Sequence, residues 1–429
     1  MQAKPKPRFR LRFLAASFLL VCLMFVAVTQ VRAFSDARKL AAEQRRVEEQ
    51  QRLAEEARLA EEARRAEEER LRAEAEERRR AELGDLYIPL PPAVLPDNPP
   101  VKAKGLYITG NIAGLASRFN HLLALVENSG LNSLVIDVKD DNGLMTYRSD
   151  IAMAEAVGAN RYVRIKDVGA LLAVLKEKEI YPIARIVAFK DPNLSSHRAD
   201  LSIQRKSGGV WKDKDGISWV NPFDRKVWDY NIAIAKEAAL NGFREIQFDY
   251  VRFPDNAKRV NAEAAFPQQN DRTKAQAVAE FLAYAREELA PYGVFVSADV
   301  FGVIATSPGD TDDIGQEWEA ISAATDYICP MVYPSHYGRG YFGYAVPDAH
   351  PHGTVHNAIT DALERNEPLP RKAIIRPWLQ DFTAVKWVDG AIPYGKTEVE
   401  AQIRALAELG VEEFLLWNAS NKYTESVWQ

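Results

Sequence analysis

Hydrophobic and polar positions divide the chain into four zones. A nearly uncharged stretch comes first, at residues 13–31, and a tract of Glu, Arg and Ala follows it up to residue 83. A proline-rich stretch then leads into a long region in which short apolar runs alternate with amphipathic segments. We therefore predict a basic tail with a transmembrane anchor (1–35), a charged helical spacer (36–84), a proline-rich linker (85–103) and a folded domain (104–429).

The apolar stretch is about as long as a helix that crosses a bilayer core of ~30 Å. Basic residues precede it, which favours keeping that end in the cytoplasm and the rest of the chain outside; they are Lys4, Lys6, Arg8, Arg10 and Arg12. The tripeptide Val31-Arg32-Ala33 is a loose small-x-small cleavage site, so a cleaved signal peptide and a secreted product are the alternative. Because the run is long for a signal-peptide core, we expect a single-pass anchor in a bacterial cytoplasmic membrane.

The tract at residues 36–83 consists mostly of good helix formers and contains acid-first i,i+4 pairs such as Glu61 with Arg65. Its leucines keep no strict heptad, so we expect a solvated helical spacer. A coiled coil that makes a homo-oligomer through the Ala/Leu face remains the alternative. Gly84 should end this helix, and six prolines between Tyr87 and Pro100 predict an extended linker.

Beyond the linker, eight apolar, β-branched or aromatic runs predict strands buried on both faces. They are residues 105–109, 133–139, 181–189, 245–252, 294–301, 326–333, 373–379 and 413–418. Amphipathic segments between them predict helices, at 165–178, 226–241, 273–289, 354–365 and 397–409. Repeated β-then-α units indicate a parallel sheet, and eight of them predict a (β/α)8 TIM barrel. The alternative is a doubly wound open sheet, but no G-x-G-x-x-G follows the first strand.

Composition narrows the chemistry. The chain has 55 Lys+Arg against 60 Asp+Glu and a formal net charge of -5, which gives no electrostatic case for a nucleic-acid partner. Cys22 and Cys329 are too few for a disulfide framework or a thiolate zinc site. No G-x-x-x-x-G-K-[ST] loop and no G-x-S-x-G elbow is present. We expect no cofactor and no metal, and the many carboxylates leave acid–base chemistry open.

In a barrel of this kind the active site lies at the C-terminal ends of the strands. Asp249 and Asp299 end the fourth and fifth strands among apolar neighbours, where an ionisable side chain needs a partner. Two converging carboxylates are what glycosidic bond cleavage requires, one ionised and one protonated. Arg252 is near enough in sequence to hold one of them ionised. The alternative is a purely structural network in which Asp249 pairs with Arg252.

Sugar sites also need aromatic platforms and polar groups for hydroxyls. Aromatic and imidazole side chains follow the last strands, at Tyr333, His336, Trp378 and Trp417, and we expect them to line a sugar subsite together with Arg252. Asp137 and Asp140, at the end of the second strand, are candidates for binding substrate hydroxyls. The alternative for each aromatic residue is packing in the core.

Three tracts of the folded domain resemble a known family. They are residues 219–222 (WVNP), 248–254 (FDYVRFP) and 376–382 (RPWLQDF). These tracts resemble the putative glycosyl hydrolase domain family of bacterial TIM-barrel proteins, which is similar to the α-amylase-like glycosidase barrels. The resemblance extends from Lys104 to the C-terminus.

The resemblance implies that Asp249 is the nucleophile and that the acid comes from the end of strand five. Asp299 stands there where α-amylase-like enzymes have Glu, and Gln247 stands where they have Arg, two residues before the nucleophile. Glu317 and Asp381 are therefore alternative acids. The resemblance implies a membrane-anchored glycoside hydrolase acting on an envelope or extracellular polysaccharide.

Two other functions stay open. A carbohydrate-binding barrel without hydrolytic activity, serving as an envelope scaffold, would keep the fold and the aromatic rim. A metal-dependent hydrolase is the second, because His350, His352 and His356 are close in sequence. Those histidines follow strand six, however, and no H-x-H ends strand one, where metal-dependent amidohydrolase barrels carry it.

Overall fold

The computed structural model describes residues 9–429, with side chains from residue 16 onward. Lys4, Lys6 and Arg8 lie outside the described residues, and the side chains of Arg10 and Arg12 do as well. Contacts divide the chain into two compact units, and the boundary between them follows Arg79.

The first unit consists of α1, which runs without interruption through Phe9–Leu83. Side-chain ion pairs follow its charged part, among them Arg58 with Glu55 at 2.6 Å and Arg65 with Glu61 at 2.7 Å. Such exposed pairs contribute a few tenths of a kcal/mol each. From Ala16 onward the helix includes an 18-residue window with a mean hydropathy of 2.0, and none of that window is buried. By length and composition it is a candidate membrane span.

The second unit contains a closed barrel of eight parallel strands, which confirms the predicted fold class. The strands are β1 (Lys104–Ile108), β2 (Ser133–Lys139), β3 (Tyr181–Val187), β4 (Glu245–Asp249), β5 (Phe295–Phe301), β6 (Tyr327–Val332), β7 (Ile374–Ile375 and Trp378–Gln380) and β8 (Phe414–Trp417). Each pairs with its neighbours in sequence, and β1 pairs with β8. The second part of β7 pairs with both β6 and β8, which closes the barrel.

Strand β7 is broken where we predicted one continuous run. Pro377 has no backbone N–H to donate and therefore interrupts the ladder between Ile374–Ile375 and Trp378–Gln380. At the break, the side chain of Arg376 is fully buried and donates to Glu245 at 2.8 Å and to Glu413 at 2.8 Å. This ion network lies where β4 begins and just before β8, at the end of the barrel opposite the strand C-termini.

Helices follow the strands around the outside. They are α2 (Gly110–Ala113), α3 (Ala116–Glu127), α4 (Ala152–Ala156), α5 (Val168–Glu177), α6 (Pro192–His197), α7 (Arg225–Asn241), α8 (Ala257–Glu263), α9 (Lys274–Leu289), α10 (Trp318–Ala324), α11 (Pro351–Asn366) and α12 (Lys396–Glu408). The five predicted amphipathic segments correspond to α5, α7, α9, α11 and α12. Asp167, Asp224 and Thr273 cap the N-termini of α5, α7 and α9 with their side chains, which explains why these helices begin where they do.

Short elements fill the connections. The 3-10 turns are Gly84–Leu86, Ala159–Tyr162, Ala199–Leu201, Ala290–Tyr292, Gly302–Ala305, Pro334–His336, Tyr341–Gly343, Pro347–Ala349 and Glu425–Trp428. A two-stranded antiparallel ladder joins Gln204–Arg205 to Ala264–Ala265.

Two apolar clusters hold the second unit together. The larger lies between the strands and the surrounding helices, and the smaller fills the barrel interior with Tyr107, Ile183, Cys329 and Trp378 among its members. Side chains alternate between the two clusters along each strand, as in other barrels. In β4 the inward positions are therefore Glu245, Gln247 and Asp249, so that the polar residues of this strand project into the barrel.

The proline-rich stretch has no helix or strand between residues 87 and 103, and it packs against the second unit. Asn98 donates its side-chain amide to the carbonyl oxygens of Arg244 and Gly293, at 2.9 and 2.8 Å, and Ile88 is buried. Gly84 follows the end of α1 with a positive φ of 55°, a conformation that glycine adopts without strain.

Candidate active site

A cavity of about 370 Å³ opens at the C-terminal end of the barrel, where the sequence predicts the site. Its size lies within the range of small-molecule sites. Side chains from five of the strands or their following loops line it, including Arg185, Asp249, Arg252, Tyr333, His336 and Trp417. Of the carboxylates proposed from the sequence, only Asp249 is part of this wall.

Arg185 organises the charged groups at the base of the cavity. This β3 residue is buried, and its Nε and Nη2 donate to Oδ2 of Asp249 at 2.9 and 2.5 Å. Its Nη1 donates to Oδ1 of Asp137 at 2.7 Å. One guanidinium therefore bridges two carboxylates from the two adjacent strands, β2 and β4. Burial alone would lower the pKa of Arg185, but the adjacent Asp249 and Asp137 carboxylates hold it well above its usual value.

The backbone after Asp249 is strained in a way that fixes this carboxylate. Tyr250 has a positive φ of 47°, which is unusual for a bulky residue, and its N–H donates to Oδ1 of Asp249 at 2.6 Å. Such a conformation costs about 1–3 kcal/mol and is found where surrounding structure enforces it, often at functional sites. Both oxygens of Asp249 thus have fixed donors, Arg185 on one side and Tyr250 on the other.

Asp299 lies behind the wall of the cavity and is 2% exposed, against 7% for Asp249. Its Oδ1 accepts the indole N–H of Trp378 at 2.7 Å, and Oδ2 accepts no hydrogen bond from the described residues. Burial, and next the negative charge of Asp249, raise the pKa of Asp299 well above its usual value, against the opposing effect of Trp378 and Arg185. Asp299 is therefore a carboxylic acid that keeps its proton beside a carboxylate that has a cation.

Asp137 is also buried, and it belongs to the same network. Its Oδ2 accepts the Tyr107 hydroxyl at 2.7 Å, and Tyr107 in turn stacks on Trp417 with ring centroids 4.1 Å apart. Burial raises the pKa of Asp137 to about 6, although Arg185 and Tyr107 oppose the shift. Because both of its oxygens are occupied by protein donors, Asp137 positions Arg185 rather than facing the cavity.

The structure corrects the predicted partner of Arg252. This residue lines the cavity, but its Nη1 donates to Oδ1 of Asp255 at 2.5 Å and to the carbonyl of Phe253 at 2.9 Å. Its guanidinium lies 4.5 Å from the ring centroid of Phe301. The cation that contacts Asp249 is Arg185 instead, because β3 is the neighbour of β4 in the sheet, whereas Arg252 lies beyond the end of β4.

Tyr333, His336 and Trp417 are all on the cavity wall, as the sequence predicts. Burial lowers the pKa of His336, so its imidazole is neutral near pH 7. Trp417 is half-buried and presents part of its surface to the cavity, next to the ring of Tyr107.

Four other predicted residues lie away from the cavity wall. Trp378 is buried in the barrel interior and contacts Asp299. Asp140 accepts the backbone N–H groups of Asn142 and Leu144, which closes the turn after β2. Asp381 accepts the N–H and hydroxyl of Thr424, which ties down the C-terminal segment. Glu317 precedes α10 and is half-buried.

Sequence reasoning missed Arg185 and Tyr107. Both occupy apolar strands, as Asp249 does, and the argument that a buried ionisable group needs a partner applies equally to Arg185. An arginine in the run YPIARIV of β3 was therefore a usable signal. The role of Tyr107 depends on side-chain contacts across the barrel, which strand patterns do not show.

The three histidines after strand six are separate from this site. The ring of His350 stacks on Tyr344 at 4.5 Å, and His352 pairs with Glu408 at 2.9 Å. Within residues 16–429, no three His, Cys, Asp or Glu side chains are grouped so as to hold a metal ion.

The model of a protein family described as "putative glycosyl hydrolase domain" matches residues 105–423, which include the whole barrel and the cavity. The chain belongs to this family. The family and the barrel confirm the resemblance seen in the sequence. No curated protein matches the chain.

Solved structures show the same fold. The glycoside hydrolase domain of PgaB (BpsB) from Bordetella bronchiseptica is 12% identical, with a TM-score of 0.53 over 74% of this chain and 94% of that chain. A hypothetical protein from Ruminiclostridium thermocellum is 40% identical over 46% of this chain and 97% of that chain, with a TM-score of 0.41. The spore cortex-lytic enzyme SleL from Bacillus megaterium is 14% identical over 77% of this chain and 74% of that chain, with a TM-score of 0.45.

Proposed function

We propose that this protein is a membrane-anchored glycoside hydrolase that cleaves an envelope or extracellular polysaccharide. One observation carries the proposal: Asp249 lies on the wall of a sugar-sized cavity with its charge paired to Arg185, and the adjacent Asp299 has a raised pKa. Glycosidases need this contrast between two neighbouring carboxyl groups, one ionised and one protonated.

In the proposed mechanism, Asp249 attacks the anomeric carbon of a sugar bound in the cavity. Asp299 donates its proton to the glycosidic oxygen, which leaves with the released part of the chain. Arg185 and the Tyr250 N–H hold the carboxylate of Asp249 in place before reaction, so that little reorganisation is needed. Tyr333, His336, Trp417 and Arg252 contact the sugar from the surrounding wall.

A carbohydrate-binding scaffold is the second candidate, and the burial of Asp299 favours it. This residue is 2% exposed and absent from the cavity wall, so a sugar can be bound next to Asp249 without a proton donor in contact with it. The two candidates share a ligand and differ in turnover alone.

The anchor and the segment boundaries are part of the proposal. The apolar window near the N-terminus supports a span within residues 1–35, followed by a spacer (36–84), a linker (85–103) and the barrel (104–429). A span with basic residues before it places the barrel on the extracytoplasmic side. The unpaired, exposed face of the spacer leaves room for a homo-oligomer through that helix.

The deciding experiment measures the release of reducing ends from a panel of purified polysaccharides, including peptidoglycan, chitin, glucans and galactans. We expect turnover by the full-length protein, a loss of at least about 10³-fold for Asp249→Asn, and a comparable loss for Asp299→Asn. Asp255→Asn is the matched control, because Asp255 pairs with Arg252 at the rim and should leave most of the rate.

The outcome separates the candidates. Binding of a glycan without release of reducing ends, unchanged by Asp249→Asn, supports the scaffold and overturns the hydrolase. Full loss on Glu317→Gln or Asp381→Asn, with Asp299→Asn still active, would reassign the acid. Circular dichroism and thermal unfolding of each variant establish that it is folded.

A further inference from the structure

Trp387 is the one tryptophan of this chain that stands largely in solvent. All eight tryptophans lie in the described part of the chain, and Trp387, in the loop between β7 and α12, is 60% exposed while the others are buried or half-buried. An indole buries 150–250 Å² when it is packed. Leaving that surface in water gives up stabilisation, so the position calls for a ligand rather than a structural explanation.

The loop that carries Trp387 is held in place by its neighbours. The N–H of Trp387 donates to the carbonyl of Ala384 at 3.0 Å, and Ala384 is fully buried. Further along, Asp389 pairs with Arg339 at 3.3 Å, and the N–H of Ile392 donates to Asp348 at 3.0 Å. The exposure of Trp387 is therefore a property of an ordered loop.

A row of aromatic rings connects Trp387 to the cavity. The indole stacks on Phe382 with centroids 6.1 Å apart and an angle of 23° between the planes. Phe382 then makes edge contacts with Tyr333 at 5.6 Å and with His336 at 6.2 Å. Tyr333 and His336 both line the cavity that contains Asp249. The exposed indole is thus the outer end of a continuous ring surface that begins at the candidate active site.

We propose that Trp387 is an outer sugar-binding platform, so that the substrate is a chain of several sugar units that extends from the cavity across Phe382. This inference rests on the proposed function and adds the substrate class. Pyranose rings present an apolar C–H face that stacks on an aromatic ring, and the ring-to-ring spacing along the row is comparable to the length of one sugar unit. A single platform at the outer end adds affinity only for a ligand long enough to reach it.

The neighbours of Trp387 define the competing occupants. Val385 is 49% exposed and Lys386 is also exposed, so the same loop has a small apolar and basic tip. A lipid surface or another protein would contact this tip alone and would make no use of the ring row. A glycan chain uses both the platform and the cavity, and the continuity of the rings favours it.

The test compares substrates of increasing length with the full-length protein in detergent. The probes are chitin-, glucan- and galactan-derived oligosaccharides from disaccharide to octasaccharide, and the variants are Trp387→Ala, Trp387→Phe and Val385→Ala. We expect Trp387→Ala to lower kcat/KM for the octasaccharide roughly three- to ten-fold and to leave the disaccharide unchanged. Trp387→Phe should keep most of the rate, and Val385→Ala should behave as the unmodified protein. Equal losses at every length, or no loss, overturn the platform.

A second measurement keeps this inference separate from the proposed function. In an Asp249→Asn background, binding of the octasaccharide should shift Trp fluorescence to shorter wavelength, and Trp387→Ala should remove the shift. If the unmodified protein hydrolyses no glycan while this shift is present, the hydrolase fails and the platform stands. If no oligosaccharide shifts the emission, or Trp387→Ala instead abolishes binding to vesicles of phosphatidylglycerol and phosphatidylethanolamine, the platform fails.

Discussion

Arg185 donates two hydrogen bonds to a single carboxylate oxygen of Asp249, from the strand next to it in the barrel. The resembling α-amylase-like enzymes carry an arginine two residues before the nucleophile, and this chain has Gln247 there. Gln247 is buried and contacts the sulfur of Cys329 at 3.4 Å. The positive charge that β4 lacks is supplied by β3, and it reaches Asp137 as well.

Replacing Arg185 should therefore impair both folding and chemistry. Arg185→Gln leaves Asp137 and Asp249 buried without their cation, and we expect the free energy of unfolding to fall by about 3–5 kcal/mol. Arg185→Lys keeps the charge but cannot bond to both carboxylates through a planar fork, so we expect it to fold and to lose roughly 10²–10³-fold in kcat. Urea denaturation and kcat on the identified substrate measure the two effects.

Arg252→Gln is the control for Arg185, because Arg252 pairs with Asp255 at the rim instead of with Asp249. It should change KM more than kcat. A full kcat in Arg185→Lys would mean that the two-bond contact does not position Asp249.

The indole of Trp378 should set the alkaline limit of activity. A general acid works while it is protonated, so the rate falls as the pH rises through the pKa of Asp299. The N–H donated by Trp378 stabilises the carboxylate form and lowers that pKa. Trp378→Phe removes the donor, which raises the pKa of Asp299, and the alkaline limb of kcat/KM should move to higher pH.

Trp228→Phe is a matched control for this experiment. Trp228 is buried and donates its indole N–H to the carbonyl of Pro222 at 2.8 Å, outside the barrel interior. It should lower stability and leave the pH profile in place. A limb that moves to lower pH in Trp378→Phe would contradict the role of Asp299 as the acid.

The sequence pattern predicted the fold far better than it predicted the contacts of the site. All eight strands carried a local signal, because strands buried on both faces read as short apolar runs. The interruption of β7 at Pro377 was visible in principle, since proline cannot donate to a ladder. Position at a strand end was enough to place Asp249, Tyr333 and Trp417 near one opening.

The charge partners were beyond such reasoning. Sequence proximity suggested Arg252 for Asp249, but pairing in a barrel follows strand neighbours, and Arg185 is 64 residues away. The same holds for Trp378, predicted as a sugar contact at a strand end. An inward position one layer deeper turns it into a donor to Asp299 instead.

The buried ion network opposite the site should be a main determinant of stability. Arg376 contacts Glu245 and Glu413 with both acidic partners almost fully enclosed, and Ser297 donates to Glu245 at 2.6 Å. Arg376→Met should lower the free energy of unfolding by about 3–5 kcal/mol, because it leaves buried carboxylates without a cation. The double variant with Glu245→Gln should recover part of this loss.

Arg148→Met is the comparison for Arg376, because Arg148 forms an exposed pair with Glu155 at 3.3 Å. Removal of such a pair changes the free energy of unfolding by about 0–1 kcal/mol. Equal effects of the two substitutions in urea denaturation would show that the buried network contributes no more than a surface pair.

The N-terminal segment should decide where the protein resides. A helix that spans the bilayer is inserted almost irreversibly, whereas a cleaved signal peptide leaves a protein with no anchor. We expect the full-length protein to stay in the membrane fraction after alkaline carbonate extraction and a chain without residues 1–35 to be released. Deletion of residues 36–83 is the control, because it keeps the apolar window at residues 13–31 and should leave the protein in the membrane. A mature protein that begins just after Ala33 and stays in solution would contradict the anchor and establish secretion.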